Sequence, residues 1–162
     1  MKSLKETKYY NNIVNEIDHP LGTVFVFDGF IVVEIDNSKD ISYDKLEFEI
    51  KEGSAYLRDI ELKNTVILSN RIHSYSLDPL GWKKYFDLGY TLKAFGAVIY
   101  TKEMETHTEL EKIFLPIDIP TFNTLDDGIS WAKGICFKRN FYVPDAPNNS
   151  KSSVSSSNFT AS

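Results

Sequence analysis

The segment TVFVFDGFIVVEI, residues 23–35, constrains the fold of this chain more than any other segment. Two runs of β-branched and aromatic residues flank Asp28-Gly29, and this dipeptide is the strongest short-range signal for a two-residue hairpin turn. The favoured turn needs positive φ at both central residues, a conformation that Asp and Gly tolerate. We therefore predict two antiparallel strands, at residues 23–27 and 30–35.

Weaker strand and helix signals lie on either side of that hairpin. Residues 13–17 alternate apolar and polar side chains, which predicts an edge strand. After the hairpin, Ser42 is the predicted N-cap of a helix whose apolar stripe runs from Tyr43 to Leu57. The short apolar run at 65–70 is typical of a central strand that is covered on both faces.

The middle of the chain predicts a second helix and another strand. Asp78-Pro79 is a helix start, because Asp caps free N–H groups and Pro is shaped for the first turn. Gly89 predicts the end of this helix, and the apolar run at 92–100 predicts a strand after it. The predicted buried face of the helix consists of three aromatic residues, Trp82, Tyr85 and Phe86.

Two more predicted helices follow, with a short strand at 117–122 between them. Thr101 caps the first, which runs to about Leu115, and Thr124 opens the second with the spacing of a capping box. The apolar stripe that we predict for the first helix consists of Met104, Leu110, Ile113 and Phe114. The stripe that we predict for the second consists of Leu125, Ile129, Ala132 and Cys136.

The order of these elements, β-β-β-α-β-α-β-α-β-α, predicts the α/β class. Alternating strands and helices require right-handed crossovers, so we expect a mixed, largely parallel sheet with about four helices and a β-hairpin at its N-terminal side. We expect a single domain at residues 1–140. Residues 141–162 are rich in Ser and Asn and have little to bury, so we predict that they form a disordered tail.

Charge and composition exclude several classes of function. The chain carries 18 basic and 23 acidic residues, and a net charge of −5 argues against a nucleic-acid partner. No apolar run approaches the roughly 18 residues of a membrane span, and the N-terminus has no apolar signal segment. One cysteine permits no intrachain disulfide, and the sequence shows no metal-ligand spacing and no cofactor motif. We expect a cytoplasmic monomer or weak homodimer.

The stretch SNRIHSYS, residues 69–76, is the candidate functional segment. It leaves the carboxyl end of a predicted parallel strand, where ligands of open α/β sheets bind, and it leads into a helix N-terminus, which favours anions. Three interpretations stay open at this point. The segment is a tied-down turn in which Arg71 pairs with a carboxylate and Tyr75 packs, or a ligand or partner site, or a phosphorylation switch. The residues to test are Asn70, Arg71, Ser74, Ser76 and Asp78.

Other candidate chemistry is weaker. His73 and Ser74 are neighbours that diverge in an extended segment, and no G-x-S-x-G elbow is present, so they predict no hydrolase triad with Asp78. Cys136 lies on an apolar helix stripe and is expected to be inert. His107 lies among polar residues in the middle of a helix, and we predict that it is solvated. The sequence therefore predicts no catalytic residues and no enzyme.

Five segments of the chain, which together cover roughly residues 20–135, have the pattern of a known group of domains. They are FVFDGFIVVEI, ILSNRIHSYSLDPLGWKKYF, LKAFGAVIY, EKIFL and FNTLDDGISWAK. These segments resemble the STAS superfamily, which is named for sulfate transporters and anti-sigma factor antagonists. Within the superfamily, the chain is most similar to small stand-alone bacterial proteins described as STAS/SEC14 domain-containing. The resemblance implies a STAS-like fold and a role as a protein-interaction or switch module, and some such domains bind small ligands or lipids.

In the anti-sigma factor antagonists, a kinase phosphorylates a serine at the N-terminus of the helix after a central strand. The resemblance implies that the matching place here is the connection from Ser69 to Asp78, with Ser74 and Ser76 nearest the helix. The family motif places an aspartate before paired Ser/Thr and a glycine after them, whereas this chain has Asn70 and Arg71 there and no glycine until Gly81.

Two functions of different classes follow as expectations. The first is a non-enzymatic interaction or regulatory module that docks a protein partner near the loop at 69–78. The second is a domain that binds a small ligand or a lipid in a pocket between the helix at 79–88 and the sheet. Four aromatic residues favour the second function, Trp82, Tyr85, Phe86 and Phe95, although an aromatic core explains them equally well.

Overall fold

A computed structural model describes residues 1–36, 40–41, 65–77, 79–89 and 91–137. Two short 3-10 turns, Leu4–Glu6 and Lys8–Asn12, come first. The strands are β1 Asn15–His19, β2 Gly22–Val26, β3 Phe30–Ile35, β4 Asp40–Ile41, β5 Val66–Asn70, β6 Ser76–Leu77, β7 Ala94–Val98 and β8 Thr121–Phe122. The described α-helices are α1 Pro79–Asp87, α2 Lys102–Phe114 and α3 Leu125–Phe137.

The predicted hairpin is present. Strands β2 and β3 pair antiparallel with Val26 opposite Ile31, so Asp28-Gly29 is the two-residue turn, and Phe27 N–H donates to Phe30 O at 2.9 Å. The turn conformation differs from the prediction, because Gly29 has φ of +86° but Asp28 keeps a negative φ. Only the glycine therefore takes up the positive φ of the turn. The rings of Phe27 and Phe30 stack at 4.6 Å across the turn.

The main sheet has six described strands in the order β1-β2-β3-β5-β7-β8. The pairs β3–β5, β5–β7 and β7–β8 are parallel, whereas β1–β2 and β2–β3 are antiparallel. The α/β class is confirmed, but the sheet is mixed rather than largely parallel. The edge strand that we predicted at 13–17 lies at 15–19 and forms a three-stranded meander with the hairpin, so two of the five strand pairs are antiparallel. The predicted central position of the strand at 65–70 is confirmed.

Three α-helices lie in the described part of the chain, not the four that we predicted. The remaining predicted helix, at 42–57, lies outside the described residues. Helix α1 begins at Pro79 as predicted, and Gly89 ends it with φ of +83° and an N–H that donates to Phe86 O at 2.9 Å. The predicted N-cap of α1, Asp78, is outside the described residues. Thr101 caps α2 as predicted, since its Oγ1 accepts from Met104 N–H at 3.3 Å.

The described residues form two hydrophobic cores on opposite faces of the sheet. In the first, α3 packs on β5 and β7 through its predicted stripe of Leu125, Ile129 and Ala132, with Cys136 partly buried beside them. Leu4 enters the same core from the N-terminal 3-10 turn and is fully buried. In the second core, Phe95 and Ala97 of β7 and Ile99, which follows the strand, contact α2 and the chain that follows it. Successive strand residues point to opposite faces, so β5 and β7 contribute to both cores.

The predicted stripe of α2 is wrong. Met104 is buried, but Leu110, Ile113 and Phe114 are exposed, with Ile113 73% exposed. The face that α2 turns inward consists of Met104, Thr108 and Glu111. This face keeps helical spacing, but it includes two polar residues. Glu111 can be buried because Arg71 lies opposite it, and Thr108 because its hydroxyl donates to Met104 O.

Candidate functional site

The loop from Arg71 to Tyr75 joins β5 to β6 at the carboxyl end of the parallel strands; we call it the β5–β6 loop. Its two end residues, Arg71 and Tyr75, are buried. Between them His73 is exposed, while Ile72 and Ser74 are half-buried. Strand β6 then pairs with β4 in a separate two-stranded sheet and leads toward α1. The loop is therefore a short accessible tip between two buried anchors.

A buried hydrogen-bond network surrounds Asn70 on the first core's side of the sheet. Its Nδ2 donates to Glu34 Oε1 at 2.6 Å and to Lys2 O at 3.2 Å, and its Oδ1 accepts from Tyr100 Oη at 2.7 Å. Glu34 is also buried and accepts from Leu4 N–H at 2.7 Å and from Ser3 Oγ at 2.6 Å. The network ties β3, β5, the end of β7 and the N-terminal segment together, because each buried polar group needs a partner.

Burial and the nearby Glu34 carboxylate raise the pKa of Tyr100 to about 12. Both effects oppose the phenolate, since burial removes hydration from a charge and Glu34 repels it. Tyr100 therefore stays a neutral donor to Asn70 over the whole physiological pH range.

Arg71 forms a buried ion pair on the opposite face. Its Nη2 donates to Glu111 Oε2 at 2.7 Å, and both side chains are about 1% exposed. The guanidinium also lies over the ring of Tyr75, 5.2 Å from Cζ to the ring centroid. Burial disfavours the charge on Arg71, but Tyr75 and Glu111 outweigh it and hold the pKa of Arg71 above its ordinary value. The pair thus fastens the start of the loop to α2.

Tyr75 fastens the other end of the loop. Its hydroxyl shares a 2.7 Å hydrogen bond with Ser69 Oγ, and burial raises the pKa of Tyr75. Its backbone oxygen lies 3.1 Å from His107 Nδ1 on α2. Since a carbonyl can only accept, Nδ1 carries the hydrogen in this contact. Helix α2 therefore holds both ends of the loop, through Glu111 and through His107.

The structure separates the residues that we singled out from the sequence. Asn70 and Arg71 are both buried, but they point to opposite faces of the sheet and belong to different networks. Ser74 is half-buried in the loop, and Ser76 lies in β6. Asp78 is outside the described residues. Two contacts that we expected of a tied-down turn are present, since Arg71 pairs with the Glu111 carboxylate and Tyr75 is buried. The ligand or partner site and the phosphorylation switch stay predictions.

Four residues of these networks were missed or misread in the sequence: Glu34, Tyr100, His107 and Glu111. Glu34 follows Phe30 and Val32 in strict alternation, so the period of two already placed it on the buried face. Glu111 continues the helical spacing from Met104 and Thr108 in the same way. We predicted that His107 is solvated, and that prediction is wrong, because its ring is half-buried and bonded to Tyr75. We did not predict that Glu34 and Glu111 are buried because they are polar, although their spacing along β3 and α2 indicates it.

A shallow open cleft of about 510 Å³ lies beside the ends of β7 and β8. Its walls come from the chain between Ile99 and Lys102, from Glu105 of α2, and from Thr121 and Asn123. Hydroxyl, amide and charged groups dominate this lining. Lys102 and Glu105 form an exposed ion pair at 2.6 Å.

Cys136 is the remaining candidate for chemistry, and its thiol makes a structural contact. Cys136 is partly buried, its thiol donates to Gly29 O at 3.2 Å, and burial raises the pKa of the thiol.

The described residues contain no group of three or more His, Cys, Asp or Glu side chains that could hold a metal ion. Among the described helices, none combines the length and the apolar character that a membrane span requires.

The chain was compared with models of protein families, with curated proteins and with solved structures, and no match was found.

Proposed function

We propose that this protein is a non-enzymatic interaction or regulatory module with a STAS-like fold, which docks a protein partner at the β5–β6 loop. The observation that carries the proposal is the arrangement of the loop, with an exposed tip at His73 between the buried anchors Arg71 and Tyr75. A loop that is already ordered loses little conformational entropy on binding, and this favours recognition.

The roles of the polar groups around the loop support a binding function rather than catalysis. Ser69 is engaged by Tyr75, Asn70 by Glu34 and Tyr100, and Glu111 by Arg71. These side-chain contacts hold the ends of the loop, and the partner of Ser69 is a tyrosine hydroxyl rather than a general base that would activate a nucleophile. We infer a cytoplasmic protein that is a monomer or weak homodimer. The predicted boundary between a domain at 1–140 and a tail at 141–162 lies outside the described residues and stays a prediction.

Variants of the exposed tip test the docking proposal. Arg71→Ala is unsuitable, because it leaves the Glu111 carboxylate buried without its partner and disturbs the fold itself. His73→Ala/Ser74→Ala changes the tip and keeps both anchors. The matched control is Asn11→Ala/Asn12→Ala, which removes two exposed polar side chains of the second 3-10 turn.

The assay is chemical cross-linking and quantitative mass spectrometry on the intact protein in its own host. We expect a partner whose cross-links map to residues 71–77, and we expect its recovery to fall at least about tenfold with the tip variant and to stay unchanged with the control. Equal recovery with both variants, or cross-links that avoid the loop, would refute docking at this site.

A small-ligand function is the second candidate, and the cleft between Tyr100 and Asn123 favours it. Its polar lining suits a small polar ligand better than a lipid. The aromatic pocket that we expected between α1 and the sheet receives less support, because Phe86 and Phe95 pack in the second core. The side chains of Trp82 and Tyr85 are outside the described residues. Native mass spectrometry of freshly purified protein tests this candidate, since a clean apo mass would rule it out.

Phosphorylation of Ser74 or Ser76 stays a prediction. In the structure Arg71 is buried and bonded to Glu111, so this guanidinium would have to leave the carboxylate to hold a phosphate. Intact-mass analysis of protein from its own host reports the modification directly, and an unmodified mass under all growth conditions would contradict it.

A further inference from the structure

Within the part of the chain that the structure describes, the ion pair between Arg71 and Glu111 leaves three buried polar atoms without a hydrogen-bond partner. They are Nε and Nη1 of Arg71 and Oε1 of Glu111. Each side chain is about 1% exposed, so bulk water does not reach these atoms. Buried polar atoms without partners are rare in folded proteins, because each one loses the hydrogen bonds that it makes in water.

The described neighbours of the pair are already engaged with other groups. Thr108 Oγ1 donates to Met104 O at 2.8 Å, and the hydroxyls of Ser69 and Tyr75 bond to each other. These hydroxyls would have to break an existing bond to serve Arg71 or Glu111. The three unpartnered atoms therefore call for a group that is not part of these side chains.

The chemistry of the three atoms defines that group. Nε and Nη1 need an acceptor, while Oε1 needs a donor. The charges of Arg71 and Glu111 cancel, so the pair as a whole has no net attraction for an ion of either sign. A small neutral molecule that both donates and accepts meets these requirements, and water is the smallest such molecule.

We propose that the Arg71–Glu111 pair is an internal water site, in which at least one ordered water molecule accepts from Arg71 and donates to Glu111 Oε1. The water completes the contact between the start of the β5–β6 loop and α2. Its position beneath the loop makes it part of the anchor that holds Arg71. The proposal is independent of the identity of any partner or ligand.

A crystal structure of the full chain at about 1.8 Å or better provides the direct test. We expect a water oxygen about 2.6–3.2 Å from Glu111 Oε1 and from Nε or Nη1 of Arg71. Two results would overturn the proposal. In one, the guanidinium turns so that Nε donates directly to Oε1, and in the other, density for an organic molecule occupies the site.

Water relaxation dispersion in solution gives a second, independent readout, because it counts water molecules that reside inside the protein. Arg71→Met/Glu111→Leu removes the charges with little change in volume, and such replacements often keep or increase stability. We expect this variant to lose at least one long-lived water. The control Lys83→Met/Asp87→Leu alters an exposed ion pair of α1 and should lose none. An equal count in wild type and in the Arg71 and Glu111 variant would refute the internal site.

Discussion

At the scale of single residues, the end of β5 shows how two neighbours in sequence take part in two separate networks. Asn70 points to one face of the sheet and binds Glu34, whereas Arg71 points to the other face and binds Glu111. Both carboxylates are buried, and each offsets part of the cost of burying its partner, Asn70 or Arg71, while part of its own cost is offset in return. The two pairs fix the point at which the β5–β6 loop begins.

The pKa of Tyr100 leads to a prediction about alkaline stability. An unfolded tyrosine has a pKa near 10, whereas that of folded Tyr100 is about 12. The folded state therefore retains the proton between these values and the unfolded state loses it. The contribution of Tyr100 to stability is complete below about pH 10 and is lost as the pH rises toward 12. Urea unfolding followed by circular dichroism at several pH values measures this loss.

The variant Tyr100→Phe isolates that contribution. It leaves Asn70 Oδ1 without its donor, so we expect a cost of about 1 kcal/mol at neutral pH. Between pH 10 and 12 the variant should lose less stability than the wild type, because it lacks the ionising group. The same loss in both proteins would contradict the assignment.

At the scale of secondary-structure elements, α2 is a helix with a partly polar inner face. Its inward residues are Met104, Thr108 and Glu111, while the larger apolar residues Leu110 and Ile113 are exposed. Thr108 can be buried because its hydroxyl donates to Met104 O, and Glu111 because it binds Arg71. The side of a helix that is buried thus depends on the partners it meets as well as on its apolar residues.

Alanine variants of α2 test which face is buried. Met104→Ala should lower the free energy of unfolding by about 2–5 kcal/mol, since it opens a cavity in the second core. Ile113→Ala, on the exposed face, should change that free energy by less than about 0.5 kcal/mol. Urea unfolding measures both values. A larger effect at Ile113 than at Met104 would mean that the helix is rotated.

Helix α3 approaches the sheet closely at a glycine. A Cβ atom on Gly128 would lie 2.9 Å from Val98 Cγ2 and 3.0 Å from Leu68 Cδ1, which is closer than packed atoms tolerate. Gly134 of the same helix is exposed and would have no atom within 4 Å of an added Cβ. The two glycines therefore have different roles although they lie in one helix.

This difference predicts opposite effects of the same substitution. Gly128→Ala should destabilise the protein by about 1–3 kcal/mol, because it overpacks the first core. Gly134→Ala should stabilise it by about 0.5–1 kcal/mol, because alanine favours a helix over glycine. Thermal unfolding of both variants provides the comparison, and a shift of the same sign in both would contradict the close approach of α3 to β5 and β7.

At the scale of the whole molecule, the N-terminal segment closes the first core. Leu4 is fully buried, and the backbone of Lys2 and Leu4 joins the network of Asn70 and Glu34. The segment thus contributes an apolar side chain and hydrogen bonds to strands that follow it in sequence. The first residues of a domain are ordered when they are tied down in this way.

Leu4→Ala tests this role. We expect a loss of about 2–5 kcal/mol in the free energy of unfolding, as for other large buried side chains. Val14→Ala is the control, since Val14 is also near the N-terminus but is 72% exposed, and its effect should stay below about 0.5 kcal/mol. Equal small effects in denaturant unfolding would show that the segment does not support the core.

Much of the fold could be predicted because its signals are local. Asp28-Gly29, Thr101 and Gly89 specify a turn, a helix start and a helix end through their own backbone preferences and hydrogen bonds. The stripe of α3 was predictable for a similar reason, since its inward positions carry apolar residues throughout. The same reasoning gave the wrong buried stripe for α2, because the inner face of this helix is partly polar and its outer face carries apolar residues.

The contacts at the end of β5 were predictable only in part. One of our three interpretations of residues 69–76 paired Arg71 with a carboxylate, and the structure contains that contact. The sequence did not identify Glu111, which lies 40 residues further along the chain, or the role of Glu34 and Tyr100 around Asn70. Contacts of this kind depend on which elements fold against each other, and a single sequence shows no direct trace of that.

The sequence by itself determined the α/β class, the hairpin, the helix ends and the apolar stripe of α3, because these depend on residues that are near one another along the chain. The tertiary structure alone decided which face of α2 is buried and which carboxylates meet Asn70 and Arg71. The physical reason is that a polar side chain can be buried only beside its partner, and folding is what brings Glu34 to Asn70 and Glu111 to Arg71.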